Sequence, residues 1–179
     1  PSANAGSSSV AVRTDGIERA TGGFDNANQA RESVANIKSF LDNKTVVQNG
    51  ASGKNVEEIQ RLLGMTTDAR NGQFDAATKT KVIDFQRNNN LSVDGAVGPN
   101  TMRALLRNSA DATVKKGTVL SRGAVGPDVL GVQIALGASP GGQTGKLGPT
   151  TERLVKDFQS RNGIQVNGKI GSTTWQAIK

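Results

Sequence analysis

The chain has 179 residues, a formal net charge of +7, and no cysteine, histidine or tyrosine. Those absences exclude disulfides, thiolate metal sites, and any hydrolase chemistry in which a histidine activates a serine or cysteine. Carboxylate-only metal sites would need clustered Asp and Glu, and no calcium-loop spacing occurs, so neither metal nor cofactor is expected. The charge is uneven: residues 1–49 carry equal numbers of acidic and basic groups, and the excess falls at 107–122 and in the half that follows. A basic half suits an anionic polymer, or serves solubility alone. No apolar run approaches the length needed to span a membrane.

In chain order, the first 16 residues are rich in Ser, Ala, Gly and Asn. They predict a flexible tail, continued to residue 24. Residues 25–49 hold an amphipathic helix and a short connection. Ala27, Ala30, Val34, Ile37 and Leu41 recur at helical spacing with Phe40 beside them, and Asp25 can cap the start. A lone helix cannot bury such a stripe, so it should dock on the rest of the chain or on a partner.

Residues 50–106 and 123–179 are two copies of one pattern, aligned without a gap in a register that sets residue 50 opposite 123. About a third of the aligned positions are identical. Each copy predicts three short helices joined by glycine-rich turns. Helix starts are expected after Gly53 and Gly126, after Asp75 and Gly148, and after Gly98 and Gly171. Pro99, Pro127 and Pro149 stand at first helical positions, where their missing N–H is not needed. Val56, Ile59 and Leu63 form one stripe, matched by Val129, Val132 and Leu136. Val82 and Phe85 match Val155 and Phe158, and Met102 and Leu105 match Trp175 and Ile178. Phe85 and Phe158 are expected at the centre of the two cores. Asp94-Gly95 and Asn167-Gly168 are turn dipeptides. Residues 107–122, with Arg107, Lys115, Lys116 and Arg122 against Asp111, read as a basic linker.

These residues resemble the bacterial and phage peptidoglycan-binding module of the three-helix type. That pattern opens G-x-x-V-x-x-L-Q-x-x-L, turns through G-x-F/L-G-x-x-T, continues V-x-x-F-Q-x-x-x-G-L and closes D-G-x-V-G-x-x-T-W. The second copy supplies Gly126, Val129, Gln133, Leu136, Gly145, Leu147, Thr151, Val155, Phe158, Gln159, Gly163, Ile164, Asn167, Gly168, Gly171, Thr174 and Trp175. The first supplies the equivalent residues, with Met102 in place of Trp and Asn90 in place of Gly, while the second carries Asn167 in place of Asp. The resemblance implies an all-α fold of two small three-helix bundles, preceded by the tail and the amphipathic helix.

It also implies a shallow groove beside helices two and three that holds muropeptide. The candidate ligand-binding residues are Gln60, Gln86, Asn89, Asp94, Thr101, Gln133, Gln159, Asn162, Asn167, Thr174 and Trp175. Amides and hydroxyls can both donate and accept, which suits peptide amides and sugar hydroxyls. The same side chains have structural alternatives: the glutamines can satisfy loop backbone, the threonines can cap a helix, and Trp175 can fill the core. The expectation is of a non-catalytic protein that binds peptidoglycan and so anchors or targets a lytic enzyme or phage-tail assembly, at the cell wall, outside the cell or in a phage virion. The alternative is a structural brick of a phage tail, baseplate or envelope assembly whose modules mediate protein–protein contacts, with residues 25–49 as a further docking arm. Scarce aromatics and scattered basic residues argue against nucleic acid as the partner.

Overall fold

The computed structural model describes residues 24–179, so the tail expected over residues 1–24 lies almost entirely outside the described residues. In order come α1 (Ala27–Asp42), α2 (Lys54–Leu62), α3 (Ala76–Asn88), α4 (Pro99–Lys115), α5 (Pro127–Ala135), α6 (Pro149–Arg161) and α7 (Ser172–Ile178). A single 3₁₀ turn follows α2 at Thr67–Ala69 and another follows α5 at Pro140–Gly142. Helices α2 to α7 all begin where the Gly, Asp and Gly-Pro signals place them. The cap of α1 is Asn26 rather than Asp25: its side chain accepts from the N–H groups of Asn28 and Gln29. That satisfies two of the donors a helix start leaves free.

Extended segments pin the helices together through four isolated antiparallel bridges. Val47 pairs with Val97 and Ser52 with Gln73; Leu120 pairs with Ile170 and Val125 with Lys146. The second pair of bridges repeats the first in the register of the sequence copies. They join the segment before the first helix of each module to the loops that follow, so every module closes on itself without forming a sheet.

Two apolar cores result. The first gathers Val34, Ile37 and Phe40 of α1 with Val56, Ile59, Phe74, Val82, Met102, Leu105 and Leu106. The second gathers Ala110 and Val114 with Leu120, Val129, Val132, Leu147, Val155, Ile170 and Trp175. Phe85 and Phe158 do not occupy the centres expected of them. Both are only partly buried, and the central volume is filled by Phe74 and Met102 in one core and by Leu147 and Trp175 in the other. The stripe of α3 is narrow, with Val82, Thr78 and Gln86 innermost, and that turns Phe85 to its flank.

The basic linker expected over 107–122 is largely helix. α4 runs 17 residues without a break, from the end of the first copy through Lys115. Its first half supplies Met102, Leu105 and Leu106 to the first core, and its second half supplies Ala110 and Val114 to the second. The register that sets residue 50 opposite 123 also sets Ile37 opposite Ala110 and Leu41 opposite Val114. α1 therefore does for the first module what the second half of α4 does for the second. The structural repeat begins one helix earlier than the sequence repeat, and α4 belongs to both units.

The following turn repeats as well: Lys44 and Gly117 both take positive φ, at 51° and 87°. Where α4 crosses α5, a side chain at Gly131 would place its Cβ 2.2 Å from the Leu106 carbonyl oxygen, so only glycine admits the approach. Leu130, on α5 of the second module, packs into the first core. α1 also reaches the second module, where a Cβ on Gly145 would lie 2.6 Å from the Val34 methyls. The helix that the sequence offered as a docking arm has its apolar face covered within the chain.

Candidate loop faces and the groove between modules

Each module contains two buried glutamines that organise its loops. Gln86 is fully buried at the end of α3. Its Nε2 donates to Asp94 Oδ1 at 2.8 Å and to the Ala96 carbonyl at 2.9 Å, and lies 3.3 Å from Thr101 Oγ1. Its Oε1 accepts from the Gly95 N–H at 3.0 Å. Gln159 repeats the pattern with Asn167 Oδ1, the Lys169 carbonyl, Thr174 Oγ1 and the N–H groups of Asn167 and Gly168. Gln60 ties Asn71, Gln73 and Thr78 together and accepts from Gly72 N–H. Gln133 does the same with Thr144, Lys146, Thr151 and Gly145 N–H. The amide suits this position because it donates and accepts on one rigid plane.

These four glutamines were expected to face a ligand; buried and hydrogen-bonded within the chain, they instead hold the loops in shape. The same correction applies to Thr101 and Thr174, which are buried hydroxyl partners of Gln86 and Gln159 rather than groove residues. Trp175 is also interior: its ring fills the second core, and Nε1 donates to Asp111 Oδ1 at 2.9 Å.

The remaining candidates are exposed. Asn89 and Asn162 follow α3 and α6, and each donates Nδ2 to a phenylalanine carbonyl one turn back at 2.8 Å, capping the helix end. Asp94 and Asn167 sit at the tips of loops 91–97 and 164–170. One oxygen of each accepts the glutamine amide and the N–H two residues on. Only that oxygen is used, so Asn replaces Asp without changing the turn. Asn90 stands where the resemblance expects Gly and adopts φ 53°, a left-handed conformation that Asn tolerates. The hydrogen bonds from Ala96 N–H and then Gln86 hold the Asp94 carboxyl below its ordinary range, so it is ionised at neutral pH.

Sequence reasoning missed the exposed valines. Val46 and Val119 are 60% and 50% exposed, Val93 and Val166 49% and 52%, and they occupy equivalent places in the two modules. Val46 lies over Gly98 and Val119 over Gly171, within 3.7 Å of where a glycine Cβ would stand. Isolated exposed valines are ordinary; the same two exposed in both copies are a repeated surface feature. Their presence in both copies was the available signal, but Val46 and Val119 lay outside the segments read as modules. Each module thus presents a hydrogen-bonded loop whose outer face combines an aliphatic group with the unused oxygen of a carboxylate or the NH2 of an amide. Such a face can bind a polar chain that bears methyl groups.

A groove of about 370 Å³ lies where the modules meet, lined by Asn89, Leu91, Ala104, Arg107, Asn108, Asp111, Trp175 and Lys179. Asp111 at its floor accepts from Trp175 and from Lys179 Nζ at 2.6 Å, and pairs with Lys115 at 2.7 Å. Partial burial works against its charge, but those donors outweigh the burial and take its pKa down to about 2. Among the described residues no cluster of His, Cys, Asp or Glu could hold a metal ion, and no helix is long and apolar enough to cross a membrane.

The sequence model of the family described as "Putative peptidoglycan binding domain" matches residues 52–105 and again 126–178. The chain is 26% identical over 182 aligned positions to the N-acetylmuramoyl-L-alanine amidase CwlL of Bacillus licheniformis, a match covering 86% of this chain and 51% of the amidase. It is 33% identical over 95 positions to a spore cortex-lytic enzyme of Bacillus cereus, covering 50% of this chain and 36% of that enzyme. The chain therefore spans about half the length, or less, of these curated relatives. They correct the expectation of a protein with no enzymatic character, because the proteins it resembles are named as lytic enzymes. The missing histidine and cysteine exclude particular chemistries within these 179 residues only.

Proposed function

Because the chain belongs to the peptidoglycan binding domain family, we propose that it is the wall-attaching portion of a cell-wall lytic enzyme. It holds peptidoglycan through the equivalent loop faces at 91–97 and 164–170. The observation that supports this reading is the duplicated construction of those faces: a buried glutamine, a fixed turn and an outward valine occur in both modules. Two weak contacts held in fixed relation gain avidity on a polymer that repeats its own units. The substrate side of the assembly then lies outside the cell or at the wall.

The alternative of a tail or envelope scaffold drew support from a docking-ready helix and from the differences between the two copies. With the α1 stripe inside the first core, the first of these supports is gone, and the wall reading stands ahead of it.

Titrating isotope-labelled protein with soluble muropeptide, followed by amide NMR, tests the reading. Shifts should concentrate at Val93, Asp94, Val166 and Asn167 and leave the buried glutamines in place. Shifts confined elsewhere, or none at millimolar ligand, would refute the assignment of these faces.

A further inference from the structure

The groove between the modules meets the first loop face only at Leu91, and α4 contributes Ala104, Arg107, Asn108 and Asp111 to it. One wall is the end of the first module (Asn89, Leu91), α4 forms the floor, and Trp175 and Lys179 close the far side. Its polar groups are unevenly engaged. The Asp111 charge is met by two lysines and an indole N–H, so it offers a ligand no free charge. The Arg107 side chain is exposed and, among the described residues, makes no ion pair or hydrogen bond. Asn108 beside it is exposed and has no side-chain partner there either. Asn89 uses its amide N–H to cap α3, which leaves its carbonyl oxygen available as an acceptor. Leu91 and Ala104 give a small apolar surface between these polar groups.

We propose that this groove is a third binding site, specific for the carboxylate end of a short peptide with small apolar side chains. The Arg107 guanidinium presents a planar fork that matches a carboxylate in two parallel hydrogen bonds. Asn89 and Asn108 can meet the adjacent peptide amides, and Leu91 with Ala104 can cover a methyl group. The surplus of cations over the single Asp111 makes the groove positive, which repels free amines and favours the anionic end. The site rests on the wall-binding reading for its natural source of peptide, the stem peptide, but its chemistry is argued from the groove alone.

Trp175 is the only tryptophan of the chain and borders the groove, so its fluorescence probes this site. The test titrates the full chain with diacetyl-Lys-D-Ala-D-Ala, with the same peptide ending in a carboxamide, and with glucuronate. The free acid should change the Trp175 emission saturably, and the carboxamide should bind at least tenfold more weakly. Arg107→Gln should weaken the free acid by about tenfold while leaving the melting temperature unchanged, since the side chain is exposed. Equal affinity for acid and carboxamide, or an unaltered titration in Arg107→Gln, would overturn the proposal. So would tighter binding of glucuronate than of the peptide. If the peptide binds here while whole wall is not retained, the groove stands and the wall reading falls. Retention of wall with no Trp175 response to the peptide means the reverse: the wall reading stands and the groove falls.

Discussion

Gln159 places one amide at the meeting point of a helix end, a turn and the start of α7. Replacing it with leucine keeps the volume but leaves the N–H groups of Asn167 and Gly168 and the Lys169 carbonyl without their partner. Buried backbone groups orphaned in this way cost about 1–3 kcal/mol each when water cannot replace the partner. Gln159→Leu should lower the stability of the second module by about 2–4 kcal/mol in urea denaturation. A loss under about 1 kcal/mol would mean that the loop satisfies itself.

Asp128, at the start of α5, is the other residue whose environment dictates a measurable effect. It is fully buried; Oδ1 accepts from Val129 N–H at 2.9 Å, and Oδ2 has no hydrogen-bond partner. Burial pushes its pKa up to about 6, against the smaller opposing pull of the Val129 N–H, the Thr113 hydroxyl and the Arg61 charge. The folded carboxyl thus holds its proton to higher pH than the unfolded one. Its contribution is fully present below about pH 4 and is lost as pH rises through about 6. Asp128→Asn removes that dependence, and its first-module counterpart is already Asn55. Relative to the variant, the native chain should lose about 3 kcal/mol between about pH 4 and pH 7, read from melting curves at both values. Asp111 acts in the opposite sense. With its pKa drawn down to about 2, its stabilisation is present above about pH 4 and fades as pH falls toward 2.

At the scale of elements, α4 is the structural hinge pin: one continuous helix with a different core on each half. Its crossing with α5 depends on Gly131. Gly131→Ala must drive the Leu106 carbonyl away from a Cβ placed 2.2 Å from it, separating the helices that Leu130 otherwise ties to the first core. Overpacking of this kind costs about 1–3 kcal/mol, and both modules should lose stability together in thermal unfolding. Loss confined to the second module would show that the crossing does not weld the two units.

Helices α2 to α7 were legible because their starts carry local signals: glycine before proline at α4, α5 and α6, aspartate at the cap of α3, and a repeated glycine before α2 and α7. The second half of α4 was not. Its inward residues are only Ala110 and Val114, flanked by Asp111, Lys115 and Lys116, so its charge is conspicuous and its apolar stripe is thin. The site residues were legible in position but not in role. Gln86, Thr101 and Asp94 form one constellation in which Gln86 and Thr101 are buried against each other and only Asp94 keeps an exposed face. Repetition marks what both modules need, and a shared loop frame is needed as much as a shared ligand surface.

For the molecule as a whole, the shared helix makes the modules one unit rather than two beads on a linker. Residues 123–179 alone lack Ala110, Val114 and the Asp111 partner of Trp175, and a fragment under about 60 residues has little core to lose. That fragment should be unfolded at room temperature by circular dichroism, whereas residues 99–179 should melt cooperatively. A folded 123–179 would separate the modules after all. The fixed relation between them also sets the loop faces and the groove at constant spacing, which suits a ligand that is itself a repeating polymer.

Co-sedimentation of the intact chain with purified peptidoglycan sacculi puts wall binding to the sharpest trial, at about 0.15 M salt, a concentration that suppresses weak attraction between exposed charges. If the paired loop faces hold the wall, the protein enters the pellet saturably and is released by excess soluble muropeptide. Protein that stays in the supernatant, or a pellet that dissolves with salt but ignores muropeptide, would contradict it.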